Sequence, residues 1–211
     1  KTAYEISLGL VGSEMCIRDR FKMYGINNLL REDTKVIGFL AFIDPRKGLH
    51  MLIEALPLIK KYYPEVQLLI GGSILHKSYL IYLKRLIRDL NIKSAVHFLG
   101  FVNEYLKPIF INACDVFVLP SYYEGFGLTV VEALSCNVPV VMTDVGCASD
   151  IMKNLGLEKF VVSIKEYDFH RDLADKIIVA LENYPKIRKE LILDWNIVAR
   201  KYRDLICRLL S

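Results

Sequence analysis

A glycine-rich turn between two glutamates is the part of this sequence with the clearest chemical use. Glu124-Gly125-Phe126-Gly127 precedes a segment of helical character, and Glu132 follows eight residues after Glu124. Backbone N–H groups at such a turn, together with the positive end of the helix dipole, bind phosphate or hydroxyl oxygens. A carboxylate can accept two hydrogen bonds from adjacent sugar hydroxyls. Two such carboxylates fit a ligand with a ribose at one end and a second sugar at the other.

A second candidate segment is Arg46-Lys47-Gly48, whose lysine could supply a point charge for phosphate. Taken singly, each feature has an ordinary explanation. A loop lysine can be solvated, Gly125 and Gly127 can be turn residues, and spaced glutamates arise by chance among 24 acidic residues. The functional interpretation therefore depends on whether the fold brings these segments together.

The elements that carry these residues form an alternating β-α pattern. Continuous apolar runs are typical of strands buried on both faces. They predict six strands: Val36–Ile43, Val66–Ile70, Ala95–Leu99, Asp115–Leu119, Val138–Met142 and Phe160–Ile164. Apolar stripes predict helices between them, with Pro57 producing a kink or ending the first half of its helix.

This alternation predicts an α/β fold, a doubly wound Rossmann-like parallel sheet of about six strands. Such sheets bind ligands at the carboxyl ends of their strands, where the strand order reverses. In the order 3-2-1-4-5-6, that point lies between strands one and four. The loops that follow Ile43 and Leu119 are the two that contain the candidate segments, so we expect one shared crevice.

Composition excludes several classes of protein. The 211 residues are 53% hydrophobic and 25% charged, which is ordinary for a globular protein. No apolar run approaches the about 18 residues that span a bilayer. The net charge of +4 is too small and dispersed to indicate nucleic-acid binding. Five cysteines without a C-x-x-C pair predict reduced thiols, neither a disulfide framework nor a metal site.

Residues 1–20 are set apart from the fold. Val11 to Arg20 resembles translated sequencing-adapter DNA and shows no clean helix or strand period. We therefore interpret 1–20 as a non-native segment and 21–211 as one domain. A genuine N-terminal segment is the alternative.

The stretch Pro120 to Leu134, with its E-G-F-G-L and E-A elements, strongly resembles the retaining glycosyltransferases of family 4, which have the GT-B fold. Val96 to Val102, Ala113 to Leu119 and Val138 to Val141 resemble flanking strands of the same family. The likeness covers about residues 36–205, which corresponds to the C-terminal, donor-binding half of such an enzyme.

The resemblance implies a role for each candidate residue. Glu132 would hold the ribose hydroxyls of the donor, and Glu124, assigned as catalytic, would contact and orient the transferred sugar. Lys47, together with Arg46, would bind the diphosphate. The backbone amides of the turn would meet sugar hydroxyls and diphosphate; they belong to Gly125, Phe126, Gly127, Leu128 and Thr129. The donor would be a nucleotide-diphosphate sugar such as a UDP- or GDP-sugar, with no separate cofactor and no metal.

One departure from the family pattern falls in the expected diphosphate site. The family places an arginine a few residues before the lysine, and Phe42 stands there. Three interpretations remain open: Lys47 works with Arg46, the donor carries less charge there, or diphosphate binding is weakened. Strand alternation also allows Phe42 to point into the core instead.

The acceptor-binding domain of GT-B enzymes has no counterpart in this sequence, so we expect a donor half that binds nucleotide without transferring sugar. The acceptor, a sugar or a lipid-linked molecule, would bind through the missing domain. We expect a cytoplasmic protein. Three interpretations stay open for the basic residues between Lys186 and Arg208. They would form a solvated face, contact an anionic membrane surface or dock on the absent domain.

Two other functions stay open. A catalytically silent GT-B relic could bind nucleotide only, consistent with Phe42 in place of arginine. Another GT-B enzyme, such as a nucleotide-sugar epimerase or a phosphorylase, is disfavoured by the E-G-F-G-L pattern and by the absence of any resemblance to a pyridoxal phosphate lysine site.

Overall fold

A computed structural model of the chain describes residues 34–165 and 167–185. These residues form a six-stranded parallel sheet in the order β3-β2-β1-β4-β5-β6, which confirms the predicted topology. The strands are β1 (Val36–Leu40), β2 (Gln67–Gly71), β3 (Val96–Gly100), β4 (Val116–Leu119), β5 (Val140–Thr143) and β6 (Val161–Val162). The adapter-like residues 1–20 and the basic segment after Pro185 lie outside the described residues.

Six α-helices connect and cover the strands within the described part of the chain. They are α1 (Leu49–Lys60), α2 (Lys77–Asp89), α3 (Lys107–Asn112), α4 (Leu128–Ser135), α5 (Gly146–Asn154) and α6 (Phe169–Glu182). Contacts divide them into two groups: α1 packs against α2 and α6, and α4 packs against α3 and α5. The sheet is therefore covered on both faces, and β1, β2, β4 and β5 are buried throughout.

The predicted end of the first strand at Ile43 was wrong by three residues. The chain bends after Leu40, and Ile43 keeps only an isolated parallel bridge to Ile74. The bend brings the Ala41 carbonyl against Gly72, where a side-chain Cβ would overlap that oxygen. Phe42 consequently leaves the plane of the sheet, while Ile43 returns to the core with 1% exposure.

Pro57 lies within α1 and does not end it. Proline removes one backbone hydrogen bond of a helix, so the surrounding packing must compensate. Ile53, Leu56 and Ile59 on either side of it are fully buried, and α1 is covered by α6. The alternative that the first half of the helix ends at Pro57 was therefore wrong, because tertiary burial outweighs the local preference.

None of the described helices has the length and apolar character required to cross a bilayer. Three of the five cysteines lie in the described residues, and all three are free thiols. Cys114 is buried beneath Gly38, whereas Cys147 is exposed.

Candidate functional site

A cleft of about 420 Å³ opens at the carboxyl edge of the sheet, at the reversal of strand order between β1 and β4. Its wall is built from the loops after β1, β2, β3 and β4 and from the first turns of α3 and α4. The residues that line it are Leu40, Ala41, Phe42, Lys47, Gly72, Ser73, Phe101, Val102, Glu104, Lys107, Leu119, Glu124, Phe126, Gly127, Leu128 and Thr129. The two candidate segments of the sequence thus meet in one crevice.

Lys47 and Glu124 form an ion pair across this cleft, with 2.6 Å between Nζ and Oε2. The same carboxylate oxygen accepts a hydrogen bond of 3.1 Å from the Ser121 hydroxyl. Both charged side chains are mostly covered, with 21% and 13% exposure. The pair holds a cation and an acceptor side by side, which is the arrangement needed at a junction between a phosphate and a sugar.

A short 3₁₀ turn, Pro45–Lys47, places Lys47 at the wall of the cleft. Asp44 begins the turn, because its carboxylate accepts from the Arg46 amide at 2.8 Å. The Arg46 guanidinium returns to the same carboxylate, with Nε–Oδ1 at 2.9 Å and a terminal nitrogen at 3.0 Å from Oδ2. Arg46 is 67% exposed and is not among the cleft-lining residues, so the structure directs it to Asp44 and away from the cleft.

The hydrogen bonds from Arg46 lower the pKa of the Asp44 carboxyl to about 2, and His76, 3.3 Å away, adds to the effect. A carboxyl with a lowered folded pKa stabilises the fold above its unfolded pKa, and this stabilisation is lost as pH falls through the folded value. We therefore expect Asp44→Asn to lower the free energy of unfolding by about 1–2 kcal/mol at neutral pH. This value is smaller than the pKa shift alone would give, because solvent screens the exposed Arg46 side chain. Thermal unfolding followed by circular dichroism measures the stability of both proteins, and the difference in free energy of unfolding between them should shrink as pH falls from about 4 to 2. A difference that persists unchanged at low pH would contradict this assignment.

Close backbone approaches join the loops around the cleft. Gly48 has φ 66°, and a Cβ there would overlap the carbonyl oxygen of Pro120. The Tyr122 amide donates to the Arg46 carbonyl at 2.8 Å. A Cβ at Gly146, the first residue of α5, would contact the Glu124 carbonyl. The loops after β1 and β4 and the start of α5 therefore form one continuous wall.

The N-terminus of α4 faces the cleft without a side-chain cap. Gly127 precedes it with φ 78° and ψ 47° and, because glycine has no side chain, does not cap its first amides. The first amides of a helix have no intrahelical acceptor, so Leu128 and Thr129 can donate to a ligand. Phe126, Gly127, Leu128 and Thr129 line the cleft, whereas Gly125 lies outside that set and its carbonyl accepts from Cys147.

Glu132 lies one turn further along α4 and is not among the cleft-lining residues. Its Oε1 is 3.4 Å from Lys107 Nζ, and that ammonium is also 2.9 Å from Glu104 Oε1. Its Oε2 is buried and has no hydrogen-bond partner among the described residues. Burial raises the pKa of Glu132, and the Lys107 charge and hydrogen bond act in the opposite direction.

Lys107 is a functional candidate that sequence reasoning missed. It begins a six-residue helix and matches no pattern by itself. Only the packing of α3 against α4 brings its ammonium to Glu132 and to the cleft. A single sequence contains no pattern that indicates which residues of two separate short helices will lie close together.

Phe42 faces the cleft and not the core, with 54% of its side chain exposed. Phe101, 73% exposed, is a second aromatic in the lining. This resolves the alternative left open by strand alternation, because the bend after Leu40 rotates Phe42 out of the sheet. No group of three or more potential metal ligands occurs in residues 34–165 and 167–185.

The model of one protein family, described as "Glycosyl transferases group 1", matches residues 26–193. The chain belongs to this family. A match of that extent includes every strand of the sheet and the whole cleft. The group 1 glycosyltransferase assignment agrees with the resemblance carried by Glu124 to Leu134.

Curated relatives share this assignment. An uncharacterized glycosyltransferase of Methanocaldococcus jannaschii is 37% identical over 126 residues, which are 59% of this chain and 31% of that protein. A phosphatidyl-myo-inositol mannosyltransferase of Mycobacterium tuberculosis is 31% identical over 176 residues, which are 82% of this chain and 44% of that protein. The chain thus spans less than half the length of these relatives.

Solved structures match the fold. Anabaena Alr3699/HepE, crystallised with UDP and glucose, is 29% identical with a TM-score of 0.69, over 82% of this chain and 44% of that chain. The C-terminal domain of the group 1 glycosyl transferase LpcC of Francisella tularensis has a TM-score of 0.66 at 22% identity, over 84% and 87%. The chain therefore has the Rossmann-like architecture of a GT-B glycosyltransferase domain.

Proposed function

We propose that this chain binds a nucleotide-diphosphate sugar, of the UDP- or GDP-sugar type, in the cleft between β1 and β4. In the proposed enzyme, a family 4 glycosyltransferase, a hexose passes from this donor to the acceptor with retention at the anomeric carbon. The observation that carries the proposal is the Lys47–Glu124 pair, 2.6 Å apart, beside the uncapped N-terminus of α4. The complex of Anabaena Alr3699/HepE with UDP and glucose supports it.

Each part of the cleft has a place in this proposal. Lys47 and the amides of Leu128 and Thr129 meet the diphosphate, since an ammonium and a helix N-terminus both favour anions. Glu124, beside Lys47, accepts hydroxyls of the transferred sugar. Glu132, one turn along α4 from the amides that line the cleft, accepts the ribose hydroxyls. Arg46, bound to Asp44, acts on the diphosphate only by supporting the turn that places Lys47.

The proposed chemical step is breakage of the bond between the anomeric carbon and the diphosphate oxygen. The electron pair leaves with the diphosphate, and the charge that develops there is stabilised by Lys47 and the α4 amides. The acceptor hydroxyl forms the new bond to the anomeric carbon on the face that the diphosphate leaves, and its proton passes to the departing diphosphate oxygen. We propose that a second domain binds the acceptor, a sugar or a lipid-linked molecule, so that this chain alone binds donor and transfers nothing.

Exchange of each glutamate for glutamine separates the two ends of the donor. Glu132→Gln should weaken UDP or GDP and the corresponding nucleotide sugar alike, by about tenfold, because both contain ribose and lose a charged acceptor. Glu124→Gln should weaken the nucleotide sugar and leave the free nucleotide almost unchanged. Isothermal calorimetry with UDP, GDP, UDP-glucose and GDP-mannose measures all four affinities.

Glu65→Gln is the matched control, because Glu65 is exposed just before β2, at the opposite edge of the sheet. Equal losses for both ligand types in both cleft variants would contradict the division of roles. Failure of the wild-type chain to bind any of the four ligands would overturn the proposed function.

The exposed Phe42 supports a second candidate, a nucleotide-binding module without transfer activity. An aromatic ring supplies no charge to a departing diphosphate, so ground-state binding could survive where transfer does not. Joining this chain to the acceptor domain of a longer relative and assaying glycoside formation separates the two. Donor binding without product would favour the binding module.

A further inference from the structure

Lys107 is charged and mostly covered, and it lies between two carboxylates at the edge of the cleft. Its side chain is 20% exposed, with Nζ 2.9 Å from Glu104 Oε1 and 3.4 Å from Glu132 Oε1. Glu104 is 75% exposed and reaches solvent, whereas Glu132 is 28% exposed. The ammonium therefore bridges a solvated carboxylate and a covered one.

The two oxygens of Glu132 differ in their surroundings. Oε1 faces the Lys107 ammonium, and Oε2 is buried with no hydrogen-bond partner in the described part of the chain. A buried acceptor without a partner is costly and calls for a ligand or a water molecule. A covered carboxylate also tends to take up a proton unless a cation stands beside it.

We propose that Lys107 is a positioning residue: it holds Oε1 of Glu132 and keeps this carboxylate ionised, so that Glu132 can accept a ribose hydroxyl. This inference rests on the proposed function, because it assigns the ribose to Glu132. A protonated Glu132 would offer an O–H donor where the ribose needs an acceptor. Lys107 thus affects nucleotide binding through the protonation state of a second residue.

Among the residues that the structure describes, two charged groups act on Glu132. Lys107 opposes the burial that raises its pKa, and Glu104 adds to the rise. On α5, which packs against α4, Lys153 is engaged with Asp144 at 2.9 Å. The facing strands β4 and β5 contribute no ionisable side chain, since they consist of Val116–Leu119 and Val140–Thr143. Removal of Lys107 should therefore raise the pKa of Glu132 further. As pH falls, nucleotide binding should then be lost at a higher pH than in wild type.

The test compares the affinity for UDP and for GDP across about pH 5 to 9 in the full chain. In Lys107→Met, the ratio of the variant's dissociation constant to that of wild type should rise as pH falls, approaching at most about tenfold per pH unit. The ligand's own titration cancels in this ratio. Glu104→Gln should act oppositely, because it removes a carboxylate that favours the protonated form of Glu132. Lys107→Arg should restore the wild-type profile.

The double variant Lys107→Met with Glu132→Gln decides whether the effect passes through Glu132. Its affinity relative to Glu132→Gln alone should be independent of pH. Two results would overturn the inference and assign Lys107 to direct ligand contact. The first is a loss of affinity in Lys107→Met that is equal at every pH. The second is a ratio of dissociation constants, double variant to Glu132→Gln, that rises as pH falls just as it does for Lys107→Met. If Lys107→Met does not fold, an unchanged profile in Glu104→Gln overturns it. Wild type that binds neither UDP nor GDP would instead overturn the proposed function itself.

Discussion

Lys47→Met is expected to weaken UDP and GDP binding by about 100-fold, or ~3 kcal/mol, which is the largest loss predicted for any single side chain of the cleft. Two effects combine. The ammonium that meets the diphosphate is lost, and Glu124, now without its partner at 2.6 Å, becomes an uncompensated negative charge beside the ligand. Isothermal calorimetry of the variant with both diphosphates measures the loss.

Two further variants define the origin of this effect. Lys61→Met removes a lysine of the same kind just past the end of α1, at an exposed position away from the cleft, and should leave affinity unchanged. Lys47→Met combined with Glu124→Gln should recover part of the loss, because the unpaired carboxylate is gone. A Lys47→Met variant that binds UDP and GDP as wild type does would remove the lysine from the diphosphate site.

Phe42→Arg is expected to tighten binding of nucleoside diphosphates by about 2–3 kcal/mol, the gain from a charge-assisted hydrogen bond to a diphosphate oxygen. Phe42 is 54% exposed and lines the cleft, so an arginine there can reach the ligand without entering the core. The uncharged nucleoside should gain little. Because the position is partly exposed, the gain should shrink as ionic strength rises.

Phe42→Leu is the control for loss of the ring without a new charge, and it should leave diphosphate affinity close to that of wild type. Melting temperatures measured beside the affinities separate binding from folding. A large drop in melting temperature for Phe42→Arg with no gain in affinity would show that the ring supports the fold. Combined with Lys47→Met, Phe42→Arg should recover part of the lost affinity.

The strand order and the position of the cleft could be predicted from the sequence because both follow from patterns along the chain. Buried strands read as continuous apolar runs, and the alternation with helices leaves few topologies. Lys47 and Glu124 are 77 residues apart in the chain, yet each lies in the loop after a strand next to the reversal of strand order. Their meeting needed only the topology.

Side-chain directions at the site could not be predicted in the same way. Arg46 and Lys47 are adjacent and carry the same charge, but a buried carboxylate two residues before the arginine engages it and leaves the lysine to the cleft. Phe42 depends on a bend after Leu40 that brings the Ala41 carbonyl against Gly72, just past the end of the neighbouring strand. Lys107 depends on the packing of two short helices. Each outcome rests on a contact between distant segments, which residue types and spacing do not contain.

The contact of Gly48 with the Pro120 carbonyl, and the hydrogen bond from the Tyr122 amide to Arg46, bear on the entropy of recognition. These contacts preorganise the wall that carries Lys47 and Glu124, so a ligand need not immobilise two separate loops when it arrives. Ordering costs of that kind are a main reason why large contact surfaces can bind weakly. For this cleft, the conformational freedom lost on binding falls mainly on the rotatable bonds of the ligand. Discrimination between ligands should therefore depend on how well each one's extended shape fits a surface that is already assembled.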